Sequence, residues 1–234
     1  MDAAPETRPP PSPALAAGGT EWLRGALREI ARDLRRFAAD LVEVSLHPAR
    51  FAAAWRDGGR KALNPLAFLG TALAVASPPT LMVSHFILQE EGGSLWEAFL
   101  SDQVAPYVQY VLLGVLAHAF LRLLGGTQRL LATVGIALYA GGGPAMVADV
   151  LTLPLDVVLA RAAGSADTVG NPALQAVAVA SIVAANVAFF VTFARGLAGL
   201  HRVRPWRPVV ALSLAYVILL GLRVVFFQLL AGAQ

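Results

Sequence analysis

The 234-residue chain contains no cysteine. That excludes disulfides, thiolate metal sites and cysteine nucleophiles, and it leaves the redox compartment open, because the absence fits either state. Charge is scarce too: Asp, Glu, Lys and Arg make up 14% of the residues, against about 25% in soluble domains. Lys61 is the single lysine. The proline-rich start lacks the basic segment and apolar core of a secretory signal. Absent as well are G-x-x-x-x-G-K-S/T, H-E-x-x-H and G-x-S-x-G patterns and any N-x-S/T sequon. The four histidines do not stand at metal-ligand spacing. Acids interleave with the arginines and no aromatic platform accompanies them, which argues against a nucleic-acid partner. With no acid, base or metal set to assemble, the reading is a protein that is not an enzyme and uses no cofactor or metal.

What abounds is apolar: 57% of the residues, with a mean hydropathy of +0.63. No ordinary soluble domain of this size hides that much apolar surface, and intrinsic disorder requires the opposite composition. The class is an integral membrane protein. Charge is unevenly placed: residues 1–64 hold 10 basic and 8 acidic groups, and the other 170 residues hold 8 and 7. The chain therefore divides into a disordered Ala/Pro/Gly-rich tail over 1–20, a cytoplasmic amphipathic helical region over 21–64 and a membrane domain over 65–234.

Within residues 21–45, Leu23, Leu27, Ile30, Leu34, Phe37, Leu41 and Val44 recur at spacings of three and four, on one helical face. The opposite face carries Arg24, Arg28, Arg32, Arg35 and Arg36 with Glu29, Asp33 and Asp40. Three placements compete for this helix. It lies in the membrane interface with its arginines toward lipid phosphates, it forms a short coiled coil, or it packs on the protein's own cytoplasmic face. A second short helix is expected over 48–57, started by Pro48 and stopped by Gly58. Trp22, Trp55, Arg56, Arg60 and Lys61 join the arginines of the first helix as membrane-surface candidates.

Five apolar spans follow, at about 66–88, 104–124, 130–153, 174–198 and 208–230. Each reaches the roughly 20 residues that a bilayer-crossing helix needs, and helices alone satisfy their backbone in lipid without closing a barrel. The expected fold is an all-α polytopic bundle of five transmembrane helices. Arginine and lysine concentrate in the N-terminal 64 residues and in the 125–129 and 199–207 connections, whereas the 89–103 connection holds only acids. That alternation places the N-terminus in the cytoplasm and the C-terminus on the far, periplasmic side.

Small residues repeat every four along span four (Ala176, Ala180, Ala184, Ala188, Thr192, Gly196) and span three (Thr133, Ala137, Gly141, Ala145), which permits close helix approach. Asp149 is the next member of the second stripe. Arg223, deep in span five, lies at a similar expected depth, so an Asp149–Arg223 pair is expected. His118 reads as a hydrogen-bonded residue, not a ligand, and Asn186 either bridges helices, the favoured reading, or lines a path. Two interruptions fall mid-span, Pro78-Pro79 and Gly141-Gly142-Gly143-Pro144. They either shape a compact bundle or mark a substrate site.

Several local features resemble the Yip1 family of small membrane proteins: His47-Pro48 with Phe51 before the bundle, Asn64-Pro65-Leu66 opening the first span, His118 to Gly126 closing the second on a Gly-Gly turn, the polar Thr127-Gln128-Arg129, and a third span with Tyr139 and Pro144. The likeness covers roughly residues 46–230. It implies a five-helix bundle with a cytoplasmic N-terminus and, in bacteria, a function largely unassigned. The Ala- and Arg-rich composition suits a bacterial inner membrane. The expected role is a scaffold or partner-binding subunit with membrane lipids and either a second copy or other membrane subunits as partners. The alternative is a small permease or lipid-handling protein with a cavity at the broken helices.

Overall fold

The computed structural model describes residues 13–82, 95–147, 150–151 and 172–231, and those residues contain helices and turns but no strand. Seven helices organise them: α1 Pro13–Leu46, α2 Pro48–Arg56, α3 Pro65–Met82, α4 Leu95–Leu123, α5 Leu130–Ala140, α6 Pro172–His201 and α7 Trp206–Ala231. A π-helical turn, Gly141–Ala145, extends α5. Among the described residues, three segments are long and apolar enough to cross a membrane: Val104–Leu123, Val179–His201 and Trp206–Val225. The described apolar parts of α3 and α5 are shorter, Pro65–Ala76 and Leu130–Pro144. The remainders of the first and third expected spans run into residues outside the described ones.

α1 begins at Pro13, so residues 13–20, expected as part of a disordered tail, are helical. α2 starts with Pro48 in its first turn, where the missing N–H costs nothing. It stops at Gly58, whose φ of +72° is the left-handed conformation that glycine adopts freely. Asn64 Oδ1 accepts the Leu66 N–H at 2.9 Å and opens α3. The α4–α5 turn closes on Gly125 at φ +88°, with the Gly126 N–H donating to the Leu121 carbonyl at 2.7 Å.

The first two helices do not form a layer separate from the bundle. Phe37, Val44, Phe51 and Ala52 belong to the same buried core as Phe68, Leu113, Ile136, Tyr139 and Phe193. α2 lies so close on α6 that a methyl group at Gly199 would overlap the Ala49 carbonyl. Only glycine permits that approach.

α1 crosses the bundle. The Phe37 ring meets Phe68 of α3 at 5.0 Å. Seven residues on, Val44 stands over Gly143 of the π-turn with Leu41 and Ser45. Val42 and Leu46 line a groove whose other wall is α6. Successive turns of α1 thus face successive helices, the signature of a transverse crossing.

The Gly141–Pro144 break serves this packing. A Cβ on Gly141 would run into the Tyr110 ring of α4, and one on Gly142 would stand 3.0 Å from the Phe68 ring of α3. The π-turn also absorbs Pro144, which supplies no N–H to the helical ladder. Pro78 sits exposed within a helix unbroken from Pro65 to Met82, and the Pro79 side chain lies outside the described ones.

Candidate functional site: polar struts and an open apolar groove

Where α1, α2 and α3 converge, Asp40 is buried and carries three hydrogen bonds. Oδ1 accepts Arg60 Nε at 3.0 Å and Nη2 at 2.7 Å, and Oδ2 accepts the Leu63 backbone N–H at 2.8 Å. Every charge here is matched, as burial of a carboxylate requires. The Arg60 guanidinium also lies 5.1 Å from the centre of the Phe51 ring. Just above, the Tyr139 hydroxyl donates to the Leu63 carbonyl. The Tyr139 ring meets Phe51 at 4.8 Å, Phe68 at 5.0 Å and Trp55 at 5.6 Å. Phe51 and Tyr139, quoted above for the family likeness, are therefore direct neighbours.

Arg56 ties α2 to the end of α6. Its Nη1 donates to the Gly199 and Leu200 carbonyls, both at 2.9 Å. These are among the last carbonyls of α6, which have no intrahelical donor and carry the negative end of the helix dipole. Asp57 holds the same guanidinium from the other side at 2.7 and 2.8 Å. This bond keeps the Asp57 carboxyl below its ordinary range, as the Arg50 bond does for Glu43. Arg202 reaches Asp57 at 3.4 Å from a backbone at φ +53°, the left-handed position that closes the helix.

A third node joins α4, α5 and α6. The Gln128 backbone N–H donates to His201 Nδ1 at 3.3 Å, so that nitrogen is an acceptor. In a neutral ring the proton then sits on Nε2, which donates to Thr133 Oγ1 at 3.0 Å. The Thr133 hydroxyl is left to donate to His118 Nδ1, also at 3.0 Å. Thr133 and His201 are buried. The arrangement is a satisfied hydrogen-bond chain. The coupling of His118 to His201 had no counterpart in the sequence reading. No cluster of three metal-ligating side chains occurs among the described residues.

Above the α1–α2 turn lies an open groove of about 830 Å³ between the end of α1, the π-turn and α6. Val42, Leu46, Val147, Ala184, Ala188 and Val191 give it an apolar lining, and Pro144 forms part of its wall. Its polar points are hydroxyls. Ser181 Oγ donates to the Val177 carbonyl at 2.9 Å, whereas Ser45 Oγ is buried without a partner among the described residues. A second groove of about 460 Å³ lies between α6 and α7, beside Asn186, Ser213 and Tyr216.

The expected site residues separate in the structure. Trp22, Arg28, Arg32, Arg35, Arg36 and Lys61 are exposed. Trp55, Arg56 and Arg60 are not headgroup anchors: the Trp55 ring lies against Gly135 and Tyr139, and both arginines are bound within the protein. Asn186 does not bridge helices, because its Nδ2 donates to the Ile182 carbonyl of its own helix at 2.8 Å. Thr192 and Gly196 of the span-four stripe are buried, while Ala176, Ala180, Ala184 and Ala188 are exposed. Arg223 is exposed and engaged, and Asp149 lies outside the described residues. The residues missed are Asp40, His201 and the full role of Thr133. Asp40, expected on the charged face opposite the stripe, is instead buried, because it stands one turn from both Phe37 and Val44, and that spacing was the available signal.

No curated protein and no solved structure matches the chain. The Yip1 domain profile matches residues 42–227, a segment that opens within the core-packed end of α1 and takes in all three polar nodes except Asp40. The protein belongs to the Yip1 domain family.

Proposed function

We propose that this protein is a non-enzymatic membrane scaffold that receives an apolar helix of a partner subunit, or of a second copy, in the groove between α1 and α6. The observation that carries this reading is the division of the α6 stripe. Thr192 and Gly196 are used up in the protein's own packing, whereas Ala184 and Ala188 line an open groove of about 830 Å³. Small residues on an apolar surface let a second helix approach closely. The polar groups support the same reading, because the three nodes pin helices to one another and leave no converging acid and base for chemistry among the described residues. The setting is a bacterial inner membrane with five spans, the N-terminus in the cytoplasm and the C-terminus in the periplasm.

The second reading is a lipid-handling protein. It is favoured by the groove's apolar lining beside the Pro144 break, since an acyl chain fits the same space. Native mass spectrometry of the protein extracted in mild detergent separates the two. The scaffold reading expects a discrete oligomer or partner complex that Ala188→Phe dissolves. A monomer carrying phospholipid adducts that Ala188→Phe removes would replace it with the lipid reading.

A further inference from the structure

The apolar stripe of α1 has two fates. Phe37 and Val44 are buried in the bundle, yet Leu23, Leu27, Ile30 and Leu34 on the same face are 45–56% exposed, and neighbouring Trp22 is 73% exposed. The helix is continuous from Pro13 to Leu46. Its outer half therefore leaves the bundle beside α3 with its apolar face still turned to the side from which the bundle packs on Phe37.

Two features identify what covers that face. The first is its width. Ala26 and Ala31 flank the leucines at the middle of the arm, so the face spans a broad arc there, and the charges beside it, Arg24 and Asp33, do not face opposite charges in the register that pairs two parallel copies of the helix. The second is how charge is sorted. Asp33 and Glu29 stand on one flank, within 4 Å of Arg32 and Arg36. Arg24, Arg28 and Arg35 stand on the other. Arg28, Arg35 and Val42 are spaced by seven, hence aligned. Val42 and Leu46 form the α1 wall of the groove beside the apolar α6 segment Val179–His201. The flank that is apolar at the groove becomes cationic along the outer half, the order met in passing from acyl chains to phosphates.

We infer that residues 21–36 of α1 form a phospholipid-binding arm. Leu23, Leu27, Ile30 and Leu34 enter the acyl layer of an anionic membrane surface, Trp22 sits at the headgroup level, and Arg24, Arg28 and Arg35 face the lipid phosphates. The inference rests on the reading that α6 crosses the membrane, and the test keeps the two apart.

The cysteine-free chain accepts single reporters without background. Nitroxide probes on Leu27→Cys, Arg32→Cys and Val183→Cys of the full-length protein are compared in bilayers containing phosphatidylglycerol. Accessibility to oxygen is measured against that to a water-soluble nickel chelate. The expected result is a probe at Leu27→Cys rich in oxygen and shielded from nickel, like that at Val183→Cys, with the reverse at Arg32→Cys. Replacing Arg24, Arg28 and Arg35 by Gln raises nickel access at Leu27→Cys. Equal nickel access at Leu27→Cys and Arg32→Cys, with Val183→Cys still shielded, overturns the arm alone. Nickel access at Val183→Cys as well overturns the membrane reading beneath it. Dipolar broadening between copies at Leu27→Cys assigns the face to a second copy instead, and unchanged shielding in the Gln variant removes the phosphate contacts.

Discussion

The two halves of α1 share one apolar stripe and one helix, and they differ in what they meet. From Phe37 to Val44 the stripe is roofed by α3, the π-turn and α2. From Leu23 to Leu34 it meets no core. Periodicity records that a face is apolar, and it does not record which surface covers it. The cover of the inner half comes from chain far away in sequence: Phe68, Tyr139 and Gly143. The ion pairs that tie α1 to other elements fall on the inner half, Asp40 with Arg60 and Glu43 with Arg50, whereas those of the outer half, Glu29 and Asp33 with Arg32 and Arg36, stay within the helix.

The largest effect is expected from emptying the inner half. Phe37→Ala removes a ring that is 5% exposed and packed on Phe68. A loss of about 3 kcal/mol is expected for a truncated core aromatic, read as a lower midpoint of thermal unfolding in detergent. A loss near zero would mean that the inner half is not anchored where Phe37 meets α3. Asp40→Ala comes next. It leaves Arg60 and the Leu63 N–H without their acceptor, and because Arg60 is 27% exposed water restores part of the loss. About 2 kcal/mol is expected, below the range for a fully buried pair. Asp40→Leu combined with Arg60→Met should recover a share of it, and no recovery would show that Asp40 acts mainly through Leu63.

Thr133→Val sharpens the contrast from a distance, since the His118–Thr133–His201 chain touches neither half of α1. It deprives two ring nitrogens of their partner, with an expected cost of about 1–2 kcal/mol. Limited proteolysis of α1 should be unchanged, and faster cleavage there would reveal coupling between the nodes. Acid pH acts more weakly, on the exposed struts. The folded Asp57 and Glu43 carboxyls titrate below their ordinary values of 3.8 and 4.5. Their stabilisation is complete above those values and is lost as pH falls through the lower folded ones. Protection of the α2–α3 connection from an acid protease should decline there, and Asp57→Asn should flatten that decline.

Much of this was legible in the sequence, for reasons that differ by residue. α2 was readable because Pro48 and Gly58 punctuate it locally. The Gly-Gly turn was readable because Gly125 requires a left-handed backbone. The long apolar helices α4, α6 and α7 follow from composition alone. The surface roles given to Trp55, Arg56 and Arg60 failed on one physical point. A cation beside a predicted membrane edge also suits the open carbonyls of a helix end, and which of the two it meets depends on tertiary position. Gly199 could have warned of it, as a glycine near a helix end with no turn to make. His118 with His201 was beyond reach, because their 83-residue separation leaves no periodic trace.

The smallest effect is expected from Leu27→Ala, and it separates the halves most directly. Leu27 occupies the same stripe as Phe37 but is 56% exposed. Truncating it removes no core contact, so its effect on unfolding in detergent should stay within about 0.5 kcal/mol. Helix propensity even favours the change slightly, alanine being the best helix former. A loss comparable to that of Phe37→Ala would show that the outer half is packed against protein in solution, on the cytoplasmic face of the bundle or on a second copy. A Leu27→Ala that is silent in detergent, yet raises nickel access at a nitroxide probe placed on Leu34→Cys in phosphatidylglycerol bilayers, would leave lipid as the surface for which the outer stripe is shaped.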